Sequence, residues 1–220
     1  MQKNAGTSIV RSLVPHIGSD CEIYGSTPDG HILSDYNKPM GKLWKHIEAR
    51  NAKKQIDIDI WNEYFKFAFV RNPWSRILSQ YSWWTQNTWD DEKKTGDKVR
   101  KMKNFEEYLV QKIGIVPNQK LQLFEEDIPL VDYIGRFEYL EEDFNEVCNL
   151  LKLENVSLIH ENKTNHKDYK KYYNNDNNAI IEYLYNKDIE SFGFDFDNTA
   201  NKNIGVIILR ILFISICYHF

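Results

Sequence analysis

Residues 63–84 read EYFKFAFVRNPWSRILSQYSWW, and this stretch decides the fold. Phe65, Phe67, Phe69 and Val70 form a short aromatic and β-branched run, the composition of a buried strand. Asn72-Pro73 ends that run and opens a helix. Asparagine is a good N-cap, and proline suits the first helical position, where an N–H would have no partner anyway. Ile77, Leu78 and Tyr81 give the helix its apolar face. A strand that runs straight into a helix is the repeating unit of an α/β protein.

Upstream, Thr7 to Val14 reads as a helix capped by Thr7, with Ile9, Val10 and Leu13 on one side. Residues 15–38 are a Gly-, Asp- and Ser-rich loop, and Pro39 opens a helix through about Arg50 with Leu43, Trp44 and Ile47 as its apolar stripe. Downstream, residues 87–103 are dense in charge and predict a solvated excursion. A helix over Phe105–Ile113, a strand over Val131–Ile134, and helices over Glu141–Leu151 and Asn177–Tyr185 follow. Strands alternating with helices predict an α/β fold with a mainly parallel sheet.

The chain has 220 residues, enough for one domain with a real core. Its net charge of −4 argues against nucleic-acid or membrane binding through bulk electrostatics, so any anion site must be a local basic cluster. Cys21, Cys148 and Cys217 are too few and too scattered for a disulfide framework or a paired-cysteine zinc site, and they fit a reducing, cytoplasmic compartment. The histidines show no HExxH or HxH spacing, so no metal is expected. The first residues are polar, without the apolar core of a signal peptide. Residues 1–200 form the expected domain; 201–220 are a separate tail, almost wholly apolar from 204 (IGVIILRILFISICYHF). Arg210 makes that tail a marginal membrane span, and Val206, Ile207, Ile208, Ile211 and Ile214 suit a buried strand equally. A membrane anchor, a strand and a plain extension stay open.

The opening residues, MQKNAGTSIV, carry the first chemical signal. A turn that enters a helix points several N–H groups at one spot, with the helix dipole behind them. Gly6 lets backbone approach an oxyanion, Lys3 adds a charge, and Thr7 and Ser8 offer hydroxyls; a plain capped helix is the competing reading. The second signal is the strand end. A metal-dependent kinase carries a carboxylate there to hold magnesium, whereas this chain has Arg71, with Ser79 eight residues on. Two anion cradles without a metal carboxylate suit a ligand with two anionic ends. The alternative is that Arg71 pairs with a carboxylate and Ser79 faces solvent.

KNAGTSI followed by FAFVRNPWSRILSQY resembles the membrane-associated carbohydrate sulfotransferases, which use 3′-phosphoadenosine 5′-phosphosulfate (PAPS). Their first motif, P-K-[TN]-[GA]-[GT]-T-S, binds the 5′-phosphosulfate; their second, R-[ND]-P-x-x-R-x-x-S-x-Y, binds the 3′-phosphate. IGRFEYLEEDFNEVCNLL, NKTNH and DIESFGFDF extend the resemblance to about Phe196. It implies a P-loop-like three-layer fold, PAPS as donor without a metal, and a carbohydrate hydroxyl as acceptor. It assigns Lys3, Asn4, Ala5, Gly6, Thr7 and Ser8 to the 5′-phosphosulfate and Arg71 and Ser79 to the 3′-phosphate. Arg76 fits the motif, with an internal salt bridge supporting the loop as its other reading. Gln2 replaces the usual proline, and the family's apolar strand ahead of the lysine is not among these residues.

Sulfuryl transfer needs a base for the acceptor hydroxyl. His46, read as helical beside Lys42 and Lys45, is the first choice; Glu48 and His31 are alternatives. Lys163 and Asn162 fall where a segment could close over a nucleotide, and Trp89 is the best-placed aromatic for the acceptor, while Trp83 and Trp84 read as packing. Two rival functions remain: a P-loop nucleotide kinase, and a truncated, non-catalytic paralogue that binds nucleotide or glycan.

Overall fold

A computed structural model of the chain describes residues 2–16, 46–86, 94–112, 115–160 and 168–198. In chain order these form α1 (Gly6–Leu13), a 3-10 turn at Val14–His16, α2 (Ala49–Lys53), α3 (Ile58–Glu63), β1 (Phe67–Val70) and α4 (Pro73–Gln86). Next come α5 (Thr95–Arg100), α6 (Phe105–Gln111), α7 (Gln119–Leu123), β2 (Phe124–Glu125), β3 (Ile128–Pro129) and β4 (Tyr133–Arg136). After a 3-10 turn at Phe137–Tyr139, α8 (Leu140–Leu150), a second 3-10 turn at Tyr169–Tyr172, α9 (Asn175–Leu184) and α10 (Asn186–Phe192) complete the described residues.

β1 and β4 pair in parallel, Phe67 opposite Tyr133 through to Val70 opposite Arg136, and β2 and β3 form a short antiparallel hairpin. Successive strand residues point to opposite faces, and that alternation builds the layers. On one face Phe69 and Tyr133 pack against Ile9 of α1 and Phe144, Val147 and Cys148 of α8. On the other, Val70 and Ile134 meet Trp74, Ile77 and Leu78 of α4, Tyr108 and Leu109 of α6, Ile181 of α9 and Phe192 of α10. The result is a small parallel sheet between two helical layers, an α/β fold. Ile77, Leu78, Phe144, Val147 and Ile181 are each 0% exposed. Burying such side chains contributes roughly 1.5–3 kcal/mol apiece.

Gly135 is the glycine this sheet needs. It stands opposite Phe69 in the register, and a Cβ there would lie 2.6 Å from Cε1 of the Phe69 ring. Gly135→Ala is therefore expected to destabilise the protein by about 1–3 kcal/mol through overpacking. Adding Phe69→Leu, which removes the ring, should recover part of that loss in urea unfolding curves. An unchanged unfolding midpoint for Gly135→Ala alone would refute this packing account.

Several expectations change. The described part of the charged stretch is no open excursion: α5 crosses it and tucks Thr95, Gly96 and Val99 against the body, with Val99 0% exposed. One buried pair four residues apart outweighs the surrounding charge, which lies on the outer side and includes an Arg100–Asp97 ion pair at 2.8 Å. The strand expected over Val131–Ile134 is β4, which begins two residues later at Tyr133; Asp132, just ahead of it, accepts the Lys66 N–H at 2.7 Å. α2 starts at Ala49, so His46 lies in a turn ahead of it and not on a helix. Leu43 and Trp44, with Lys42, Lys45, His31, Trp89, Asn162, Lys163 and the tail 204–220, lie outside the described residues. No helix among the described residues is long and apolar enough to cross a membrane.

Candidate active site

The site lies outside the carboxyl ends of β1 and β4, where ligands bind in open α/β sheets. The chain leaving β1 and the chain leaving β4 meet there, the backbone N–H of Asn72 donating to Oε1 of Glu138 at 2.8 Å. Residues 2–8 bring α1 to the same place.

The loop ahead of α1 is strained and heavily tied. Lys3 (φ 64) and Ala5 (φ 60) adopt the left-handed conformation that L side chains disfavour. Each costs of order 1–3 kcal/mol, so the surroundings must hold them. The carbonyl of Gln2 accepts from Nε of Arg76 at 3.1 Å, and that of Lys3 from Nη1 of Arg71 at 3.2 Å. Nδ2 of Asn4 donates to the Phe69 carbonyl at 2.6 Å and to Oε1 of Gln119 at 2.8 Å. With the carbonyls drawn inward, Ala5 becomes the N-cap of α1 and Thr7 lies inside the helix, which corrects the expected cap.

The first helical bond runs from Ile9 N–H to the Ala5 carbonyl at 3.0 Å, so the N–H groups of Gly6, Thr7 and Ser8 precede the intrahelical ladder. Ala5, the N-cap residue, offers no side-chain cap for them. A Cβ added to Gly6 would meet nothing within 4 Å, and its φ is not in the left-handed range. Neither conformation nor packing asks for glycine there, and the space beside the helix N-terminus is open.

Arg71 is 6% exposed. Its guanidinium donates from Nε and Nη2 to Oγ of Ser75 at 3.0 and 2.8 Å, as well as from Nη1 to the loop, and lies 3.9 Å from the centroid of the Phe137 ring. Two of its five N–H directions are left over. Burial lowers its pKa to about 10, with Glu138 opposing that shift and Arg76 adding to it. The Glu138 carboxyl is in turn held above the usual range by burial. Arg71 therefore keeps its charge at neutral pH, in a place where charge is costly to bury.

Arg76, 1% exposed, belongs to the support. Besides the Gln2 carbonyl it binds the Pro117 carbonyl through Nη1 at 2.9 Å. The expected salt bridge is thus replaced by carbonyl bonds, with the nearby Asp188 favouring its charge. Ser79 is 2% exposed, so it does not face solvent. Positions 75, 79 and 83 recur at one-turn intervals on a single face of α4. Arg71 holds Ser75 at one end of this stripe, and Nζ of Lys3 lies over the Trp83 ring, 5.6 Å from its centroid, at the other. Lys3, Arg71 and Ser79 are thereby brought to one side of α4. Trp84, the neighbour of Trp83, is core.

The candidate bases are placed less informatively. His46 is half-buried just ahead of α2, which packs on α7 and β2, and Glu48 N-terminally flanks α2 with Oε2 accepting from Asn51 at 3.3 Å. Among the described residues no group of His, Cys, Asp or Glu is arranged to hold a metal ion. Sequence reasoning missed Gln119, Asp188 and Glu138. The last two lie in the stretches EYLEED and DIESF already singled out, whereas nothing in the local sequence marks Gln119.

No curated protein and no solved structure is matched by the chain. The model of the Sulfotransferase family matches residues 1–195, which covers α1, both strands of the parallel sheet and every site residue described above. The chain belongs to the sulfotransferase family.

Proposed function

We propose that the protein transfers a sulfuryl group from PAPS to a hydroxyl of a carbohydrate acceptor. The observation that carries this reading is the direct bond between the two anion-binding elements, Nη1 of Arg71 to the Lys3 carbonyl, at the N-terminus of α1. In this scheme the N–H groups of Gly6, Thr7 and Ser8, with Asn4 and Ala5 shaping the turn, hold the 5′-phosphosulfate oxygens. Arg71 and Ser79 hold the 3′-phosphate. The acceptor oxygen attacks sulfur in line, the bond from sulfur to the bridging oxygen breaks, and adenosine 3′,5′-bisphosphate leaves. Lys3 neutralises the charge growing on the bridging oxygen. His46 takes the acceptor's proton. No metal is needed, because cationic side chains and backbone donors meet the anion directly. A cytoplasmic location, with membrane association open through residues 204–220, belongs to the same proposal and is testable by fractionation.

Calorimetry tests the donor. Adenosine 3′,5′-bisphosphate is expected to bind more tightly than AMP, equally well with magnesium and with chelator. Equal affinities, or a strict need for magnesium, would favour a nucleotide kinase. Acceptor class follows from incorporation of labelled sulfate into glycans against simple phenols, and labelling of the phenols alone would remove the carbohydrate assignment.

A further inference from the structure

Gln119 is 0% exposed and stands at the first residue of α7. Its carboxamide uses all four of its hydrogen-bonding positions. Oε1 accepts from Nδ2 of Asn4 and from the backbone N–H of Arg71, both at 2.8 Å. Nε2 donates to the Arg71 carbonyl at 2.8 Å and to Oδ2 of Asp188 at 3.1 Å.

The position of these contacts explains their purpose. The Lys66 carbonyl faces β4, accepting from Asp132 and Tyr133 at 2.7 and 3.1 Å. By alternation the backbone groups of Phe69 and Arg71 face the other edge of β1. There the Phe69 carbonyl is met by the Asn4 amide and both polar groups of Arg71 by the Gln119 amide. A side-chain amide thus takes the place of a neighbouring strand's peptide group. Gln119 is itself fixed by Asp188, 0% exposed, which accepts the backbone N–H of Gln119 at 2.9 Å and of Lys120 at 2.8 Å. Arg76 offsets the Asp188 charge and holds the Gln2 carbonyl, so one buried set grips the loop at Gln2 and again at Asn4.

We propose that Gln119, locked by Asp188, is the positioning residue that sets the distance between the Lys3–Ser8 loop and Arg71, and hence between the two anion sites of the donor. The role rests on the donor reading above. A ligand touching only the loop is insensitive to that distance, whereas one touching both elements depends on it. Bisphosphate preference is therefore the quantity Gln119 controls.

The test measures Kd for adenosine 3′,5′-bisphosphate and for AMP on folded full-length protein, with the folded fraction read from unfolding curves. Gln119→Leu is expected to weaken bisphosphate binding about 10-fold more than AMP binding, a difference of about 1.4 kcal/mol. Gln119→Glu keeps the size and the two acceptor contacts but sets a carboxylate against the Arg71 carbonyl and Asp188, so the preference should fall as well. Combining it with Asp188→Asn returns a donor to that contact, at the expense of the Gln119 backbone N–H that the same oxygen accepts, and should restore part of the preference. This pair decides the matter even where Gln119→Leu does not fold. A folded Gln119→Leu or Gln119→Glu with the wild-type preference, or a double variant no better than Gln119→Glu, overturns the proposal and leaves the donor reading intact. Wild-type protein with no preference overturns the donor reading and this role together.

Discussion

Lys3→Ala is expected to lower kcat about 10²–10³-fold, the effect of removing one donor aimed at charge that develops in the transition state. The fold should hardly notice. Alanine keeps the backbone that holds the loop, the left-handed conformation at φ 64 and the carbonyl bound to Arg71. The side chain contributes an ammonium over the Trp83 ring, part of the stripe that also carries Ser79. Unfolding stability should therefore change far less than the rate, by about 1 kcal/mol, the size of a cation–π contact. A rate near wild type would remove Lys3 from the chemistry. His46→Ala makes the complementary case. If the histidine takes the acceptor's proton, the variant loses the acid limb of the pH–rate profile, whereas Lys3→Ala keeps that limb. A profile unchanged by His46→Ala would pass the base role to another residue.

What the sequence makes legible here is what local chemistry controls. Asn72 does cap α4, its Oδ1 accepting from the N–H groups of Trp74 and Ser75 at 3.1 and 3.5 Å, and Pro73 is the first helical residue. The aromatic run ahead of it is β1. Both follow from neighbours in sequence. Thr7 fails as a cap because contacts far along the chain settle the matter: Arg71, Arg76, Phe69 and Gln119 draw the loop into its strained turn and shift the helix start to Gly6. Gln119 is illegible for a related reason. A glutamine reads as surface, and it is buried only because four partners from three other segments satisfy it. The motif residues could be named from sequence, but the frame that spaces them could not.

Arg71→Ala should lose most of the preference for adenosine 3′,5′-bisphosphate over AMP. A charge-assisted hydrogen bond contributes roughly 1.5–3 kcal/mol, a factor of about 10 to 150 in affinity. The substitution also removes a buried cation. It strips the Lys3 carbonyl and Ser75 of their donor and leaves the Glu138 carboxyl without the charge that most favours its ionised form. The sign of the resulting pH dependence follows from that carboxyl. Burial already raises its pKa, Arg71 works against the rise, and the variant raises it further. A group whose folded pKa lies above its unfolded value is most favourable to folding below the unfolded pKa, and that contribution is lost as the pH climbs through the folded one. The destabilisation by Arg71→Ala should therefore be larger at about pH 7 than at about pH 4, where even unfolded carboxyls are half protonated. Adding Glu138→Gln should remove that pH dependence without restoring bisphosphate binding. Arg71→Lys separates charge from geometry: an ammonium keeps a cation beside Glu138 but cannot reach Ser75 and the Lys3 carbonyl as a fork does, so stability should recover more than affinity. Full recovery of both would reduce Arg71 to a point charge, and a bisphosphate preference that survives Arg71→Ala would take the 3′-phosphate away from this residue.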